Sequence, residues 1–385
     1  MKNVVLNDSF GSPHVFGYPK LTAQEEINLL ASFFEQLLIF DKVTLSTSHV
    51  NFALTFLFKT IGINNVERLL ESGYLDFMLW SPIIVTGTGM QRDDKTIDES
   101  VIYGRPPIVA GSQTKEDLDP EKNINNALNN FAIHKDRKKS FTKKAAKYYS
   151  IPDGMFFSTD SASLVIDAYK NNNLEYLGLP FQKEPEQLNV EERGTLLDLG
   201  NKVLETAILS KYELKSYENY EPYAICKKNL ENIGKAYNVS NNTSNLFHLE
   251  NLPDLKTLFI SERLDFESVF KIRHFTAAKY YRRWINEIGE NANSQEVSKE
   301  YLNEIRGSSK FFESNQGKLL KNLSLFAVGT ALGNAVVGNA GVVAGLSLGL
   351  LDTFWIDRIA KGKNPSMFIN EISNYVAEDK KMPPL

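Results

Sequence analysis

The chain has 385 residues, 42% of them apolar and 23% charged, with a formal net charge of −4. That length is enough for two or three domains, and the mildly acidic balance argues against wholesale attraction to nucleic acid. A lone cysteine, Cys226, excludes an internal disulfide and a cysteine-built zinc cage, and fits a reducing compartment.

The first sixteen residues carry one lysine and no apolar run of signal-peptide length. Thr22 with Glu25 three residues on reads as a capping box. Ile27, Leu30, Ala31, Phe34, Leu37 and Leu38 then recur at helical spacing. The run 37–45 turns β-like, interrupted by Asp41 and Lys42. A helix from about Val50 ends near Gly62, and a short one over 65–71 stops at Gly73. Residues 75–85 read as a strand broken by Pro82. The resulting strand–helix–helix–strand order predicts a small α/β unit over 1–118.

Residues 86–119 have loop composition. Within them Gly87, Gly89 and Met90 follow the strand, yet Arg92 stands where a dinucleotide fingerprint needs its third glycine. Asp93, Asp94, Asp98 and Glu99 lack the spacing of a calcium loop.

Pro120 sits at the first position of a helix, and helices are predicted over 120–132, 136–149, 158–172 and 190–217, the last capped by Asn189. These make a helical unit over 119–237. Residues 238–244 are linker-like. Beyond them 253–259, 266–288 and 294–305 read as helices of a third unit, 238–385.

The most distinctive segment is 322–351, thirty residues without a charge. Gly329, Gly333, Gly338, Gly341, Gly345 and Gly349 recur mostly four apart, which puts small residues on one helical face where another helix can approach. A single helix would run about 45 Å. Asn334, Gly338 and Asn339 interrupt it, so a helical hairpin over 319–358 turning near Gly338 is expected. Each arm then falls short of the roughly 30 Å hydrocarbon core, which favours burial inside the fold. Membrane insertion is the competing expectation, with Lys318, Lys321, Arg358, Lys361 and Lys363 at its basic ends. The segment also mimics a P-loop from Gly333 to Gly338. Asn339 and Ala340 replace the lysine and hydroxyl residue that hold phosphate and magnesium, so the match carries no chemistry.

No histidine pair has metal-ligand spacing, and no nucleophile-elbow sequence occurs. No catalytic residue, cofactor or metal is therefore expected. Two basic stretches remain. Residues 134–149 hold seven Lys or Arg and one acid, and Lys138, Lys139, Lys143 and Lys144 are candidate contacts to an anionic partner. Residues 271–284 interleave Arg282 and Arg283 with aromatics, and Phe270, His274, Ala277 and Tyr281 form a stripe that favours a packed helix with a solvated basic edge.

The fold expected is mainly α with a small N-terminal α/β part, α+β overall. Two functions follow. The first is a non-enzymatic, cytoplasmic interaction or regulatory protein of bacterial origin, whose partner is a protein, with nucleic acid disfavoured. The second is a membrane-active effector of stress or phage defence that releases the hairpin at an anionic membrane surface.

Overall fold

Three short segments rich in β-branched and aromatic residues, Val4–Asn7 (β1), Lys42–Thr47 (β2) and Leu75–Leu79 (β3), pair in parallel and build the centre of the N-terminal part of the fold. The computed structural model describes residues 3–7, 9–10, 21–47, 51–79, 84–86, 108–110, 117–152, 187–212, 214–218, 244–253, 255–260, 265–279, 281–282, 320–328, 371–372 and 374–375, with a few positions between 162 and 183.

Between β1 and β2 runs the helix Ala23–Ile39 (α1). Its start is the expected capping box: the Thr22 hydroxyl accepts from the Glu25 amide and the Glu25 carboxylate accepts from the Thr22 amide. Between β2 and β3 lie Phe52–Thr60 (α2) and Ile63–Glu71 (α3), the expected order. Gly62, at φ +80°, separates them, and Gly73, at φ +71°, leads from α3 to β3. Both glycines take conformations that a side chain would strain.

A two-stranded antiparallel pair, Ile84–Thr86 (β4) with Ile108–Ala110 (β5), forms a separate small sheet. Pro120–Leu128 (α4) starts at its proline with Asp119 as cap, and Lys135–Ala145 (α5) runs through a 3₁₀ turn, Ala146–Tyr148, into Tyr149–Ser150 (β6). Val190–Lys211 (α6) is capped reciprocally by Asn189 and Glu192. Then come the strands Lys215–Glu218 (β7) and Ser244–Pro253 (β8), the helices Leu255–Ile260 (α7) and Phe266–His274 (α8), and the strand Leu320–Val328 (β9).

The main sheet has the order β6-β3-β2-β1-β7-β9-β8. Its first four strands are parallel, β7 joins β1 in parallel, and β9 pairs antiparallel with both β7 and β8. The described residues are mostly helical around this sheet, an α+β arrangement.

Several expectations change. Ile108–Ala110, within the stretch read as loop, form β5, and Tyr149, read as the end of a helix over 136–149, lies in β6 after α5 stops at Ala145. The helix predicted over 190–217 ends at Lys211, and 215–218 are a strand instead. The helix predicted over 266–288 is broken at Phe275, whose ψ of 146° leaves the helical region. The helical hairpin does not include 322–328, because these residues lie in β9 with strands on both sides. The glycines begin only at Gly329, so nothing in 322–328 carried the helical spacing, and a short apolar run is ambiguous between helix and strand. Residues 329–351, with all six glycines, lie outside the described residues.

Strand pairing gives the parallel sheet two unlike faces, since successive side chains alternate. Val5, Val43, Leu45, Leu75 and Phe77 share one face and join a single apolar core with side chains from α1 to α5, α7 and α8. Lys42, Thr44, Ser46, Asp76 and Ser150 share the other face with the buried Val4, Leu6 and Met78.

The carboxyl end of α1 faces the core, where its last carbonyls cannot reach water. Arginines from far along the chain serve them. The Arg273 guanidinium donates to the carbonyls of Leu37, Phe40 and Asp41, and Arg282 donates to Leu38 O at 3.3 Å and to Arg273 O at 2.8 Å. Asn3 donates to Ile39 O at 3.2 Å and to Arg282 O at 3.3 Å. Arg273 also lies over the Tyr74 ring, 3.8 Å from its centroid. Burial, then the neighbouring Arg282, holds Arg273 below the ordinary arginine range. A helix carboxyl end favours these cations.

Removing Arg273 should leave three carbonyls without its donors. Arg273→Ala is expected to destabilise the protein by about 3 kcal/mol or more in urea denaturation, whereas Lys59→Ala, which breaks an exposed ion pair with Glu26, should cost under about 1 kcal/mol. Equal losses for the two variants would contradict the capping role.

Candidate functional site

The basic stretch 134–149 becomes a helix whose charges are divided by geometry. His134 caps α5, its Nδ1 accepting from the Asp136 amide at 3.4 Å. Phe141, Thr142 and Ala145 are buried and fix the inward side. At 100° per residue the remaining positions fall into two flanks.

One flank packs beside α3. Arg137 donates to Glu67 and to Asn64 Oδ1 at 2.8 Å, and Lys144 lies 2.9 Å from carboxylate oxygens of both Glu67 and Glu71. The Arg137 guanidinium, followed by Lys144, holds the Glu67 carboxyl below the usual glutamate range against the opposing effect of burial. This flank is a satisfied packing contact.

The other flank carries Lys135, Lys139 and Lys143 at i, i+4 and i+8, all exposed, with Lys147 following in the 3₁₀ turn. None of the four has an ion-pair partner among the described residues. Asp136, exposed in the first turn of the same helix, lies 3.5 Å from His134.

Among the lysines singled out from sequence, the structure therefore brings Lys139 and Lys143 together on the open stripe. Lys144 is taken up by α3, and Lys138 is half-buried beside the core-facing side. Lys135 belongs to the stripe and was not singled out. The i+4 spacing was the signal that would have found it. Arg282 is buried and committed to carbonyls, so it contacts no external anion. Its companion Arg283 lies outside the described residues, as do the six glycines. The core stripe expected around it holds for Phe270, Ala277 and Tyr281 and fails for His274, which is exposed.

Two further places on the parallel sheet gather polar side chains. At the carboxyl ends of its strands, Asn51 adopts φ 49° and donates to Asn123 Oδ1 at 2.6 Å and to Tyr149 Oη at 2.9 Å. Its Oδ1 accepts from Thr47 Oγ1 and from the Leu54 amide, each at 3.0 Å. All four hydrogen-bonding positions of the amide are filled, so Asn51 is a tie between β2, α2, α4 and β6 with nothing left for a ligand. Burial pushes the Tyr149 phenol up, keeping it protonated in this network.

At the amino ends lies a cavity of about 640 Å³. Asp41, Lys42, Asp76, Lys147, Tyr148 and Ser150 contribute to its wall. Lys42 is paired with Asp76, Asp41 lies 3.6 Å from Arg282, and the Ser150 hydroxyl donates to Phe77 O at 3.3 Å. Lys147 is the charged lining group without a described partner. Among the described residues no cluster of metal-ligating side chains occurs, and no helix is long and apolar enough to cross a membrane.

Comparison of the chain with protein-family models, with curated proteins and with solved structures finds no match.

The Glu67 pairing makes a signed prediction. Its folded pKa lies below that of an ordinary glutamate, so its stabilisation is present above the ordinary value and is lost as pH falls through the folded pKa. Glu67→Gln should cost on the order of 1 kcal/mol at neutral pH and the difference from the parent should vanish in acid. Urea denaturation of both proteins from about pH 7 to about pH 3 checks this, and a difference that stays constant across that range would contradict it.

Proposed function

We propose that this chain is a non-enzymatic interaction or regulatory protein of bacterial origin that works in the cytoplasm and docks an acidic surface of another protein. The observation that carries the reading is the open lysine stripe of α5, Lys135, Lys139 and Lys143. The opposite flank of the same helix has its cations matched by carboxylates, whereas the stripe exposes cations in register. An unmatched row of one sign on a rigid helix supplies both attraction and orientation to a partner of the other sign. An acidic protein surface is favoured over nucleic acid because the basic charge is confined to this narrow row.

A second reading, a membrane-active effector of stress or phage defence, rests on the uncharged glycine-rich run and its expected helical hairpin. β9 weighs against it, since residues 322–328 would have to leave pairings with β7 and β8 before the run could be released.

The test measures binding of the full-length protein to poly-glutamate, to a duplex DNA and to anionic vesicles at physiological salt. Poly-glutamate should bind, weaken as salt is raised, and lose at least about tenfold in affinity when Lys135, Lys139 and Lys143 are all changed to Gln. Binding to DNA or vesicles in preference to poly-glutamate, or an undiminished triple variant, would overturn the reading.

A further inference from the structure

We infer that the docking face for the acidic partner is two helices wide: the lysine stripe of α5 supplies its charge, and the side-chain amides of Asn125 and Asn129 on α4 supply directional hydrogen bonds to the partner's carboxylate oxygens. The inference rests on the acidic-docking reading and adds the residues that choose among acidic partners.

Packing places α4 along the stripe. The two helices are joined by the short connection 129–134 and run antiparallel. Asn51 ties Asn123, near the start of α4, to Tyr149, beyond the end of α5, and Thr142 donates to Asn125 Oδ1 at 3.1 Å. A step forward along α4 is thus a step back along α5. Thr142 stands at the edge of the stripe, because Lys139 precedes it by three residues and Lys135 by seven, about one and two turns. Asn125 therefore borders the stripe, and Asn129, a turn further along α4, lies toward Lys139 and Lys135.

The amides on this side of α4 have donors to spare. Asn123, Ile124, Ala127 and Leu128 are buried and hold α4 to the core, whereas Asn125 and Asn129 are exposed, four residues apart on one side of the helix. Asn125 uses its side-chain oxygen on Thr142, which leaves its two N–H donors without a partner among the described residues. The Asn129 side chain has no partner there either. The acids of the two helices, Glu121 and Asp136, both stand in first turns, at opposite ends of the antiparallel pair.

The two rows differ in what they do to a partner. A lysine ammonium is a point charge on a flexible stem and accepts many geometries. A side-chain amide is neutral and adds nothing to long-range attraction, but its N–H groups bond only an acceptor set in line with them. Packed helix axes stand about 8–10 Å apart, close enough for one acidic surface to meet both rows. The lysines then draw in any dense group of carboxylates, and the amides retain those whose oxygens also reach α4. On-rate and salt dependence belong to the first row and off-rate to the second.

The experiment follows binding of poly-glutamate to the full-length protein by surface plasmon resonance across a salt series. The parent is compared with an Asn125→Ala, Asn129→Ala double variant, with Asn129→Ala, with Asn129→Gln, and with Lys135, Lys139 and Lys143 all changed to Gln. Asn129→Ala leaves the contact between Asn125 and Thr142 in place, which keeps the test sound if the double variant does not fold. The double variant should lose about fivefold in affinity and Asn129→Ala about threefold, both through a faster off-rate and with the slope of affinity against salt unchanged. Asn129→Gln keeps the amide and should bind like the parent. The lysine variant should flatten the salt slope. Asparagine variants that bind like the parent would show the two-helix face to be wrong while acidic docking stands. A loss accompanied by the same flattened slope would also overturn it, because the amides would then act only by disturbing the lysines. If the parent does not bind poly-glutamate, both the two-helix face and the docking reading fall.

Discussion

The carbonyl end of α1 is the constraint around which the rest is arranged. A helix that runs into the core between β1 and β2 ends with carbonyls that water cannot reach, and a buried carbonyl left unpaired costs about 1–3 kcal/mol. The chain answers with Arg273 and Arg282, which reach Leu37, Leu38, Phe40 and Asp41 from more than two hundred residues away, and with Asn3 at Ile39. A guanidinium presents five donors in a fixed plane and stays charged when buried, which a lysine could not do. The same contact seats α8 and the helical residues after it on the N-terminal sheet, so that Phe270, Ile272, Ala278 and Tyr281 join Val5 and Leu45 in one core.

With one sheet face given to that core, the other parts can keep charge on the surface. α5 shows how. Phe141 and Ala145 anchor it, Arg137 and Lys144 are spent on Glu67 and Glu71, and the stripe from Lys135 to Lys143 is held rigidly outward. A fixed cation row needs less ordering on binding than lysines on a loop would, which is why a packed helix suits a docking face. The amide network of Asn51, Asn123, Thr47 and Tyr149 at the far end of the strands does the opposite work, closing on itself and fixing β6 against its neighbours.

Local signals were legible in the sequence and distant pairings were not. The capping box at Thr22, the cap at Asn189, Pro120 at its helix start, and Gly62 and Gly73 at their turns all stand where the spacing put them, because each depends on residues within one turn. The β2-α2-α3-β3 order was likewise readable from periodicity. β1 is only four residues long, and β7 and β9 owe their conformation to each other and to β8, more than twenty residues away, which no local window contains. On the functional side the basic stretch of α5 was visible as charge, but which lysines face α3 depends on Glu67 and Glu71 in another helix. Arg282 read as an edge cation because its acceptors are carbonyls near residue 40.

The central claim is that the arginine contacts make α8 part of the same cooperative unit as the N-terminal sheet. Native-state hydrogen exchange under increasing denaturant tests it most directly. The account predicts that amides of Val269 to Arg273 and of Val43 to Leu45 open together, with one free energy and one denaturant slope. Opening of α8 several kcal/mol below β2, as a separate unit, would contradict it.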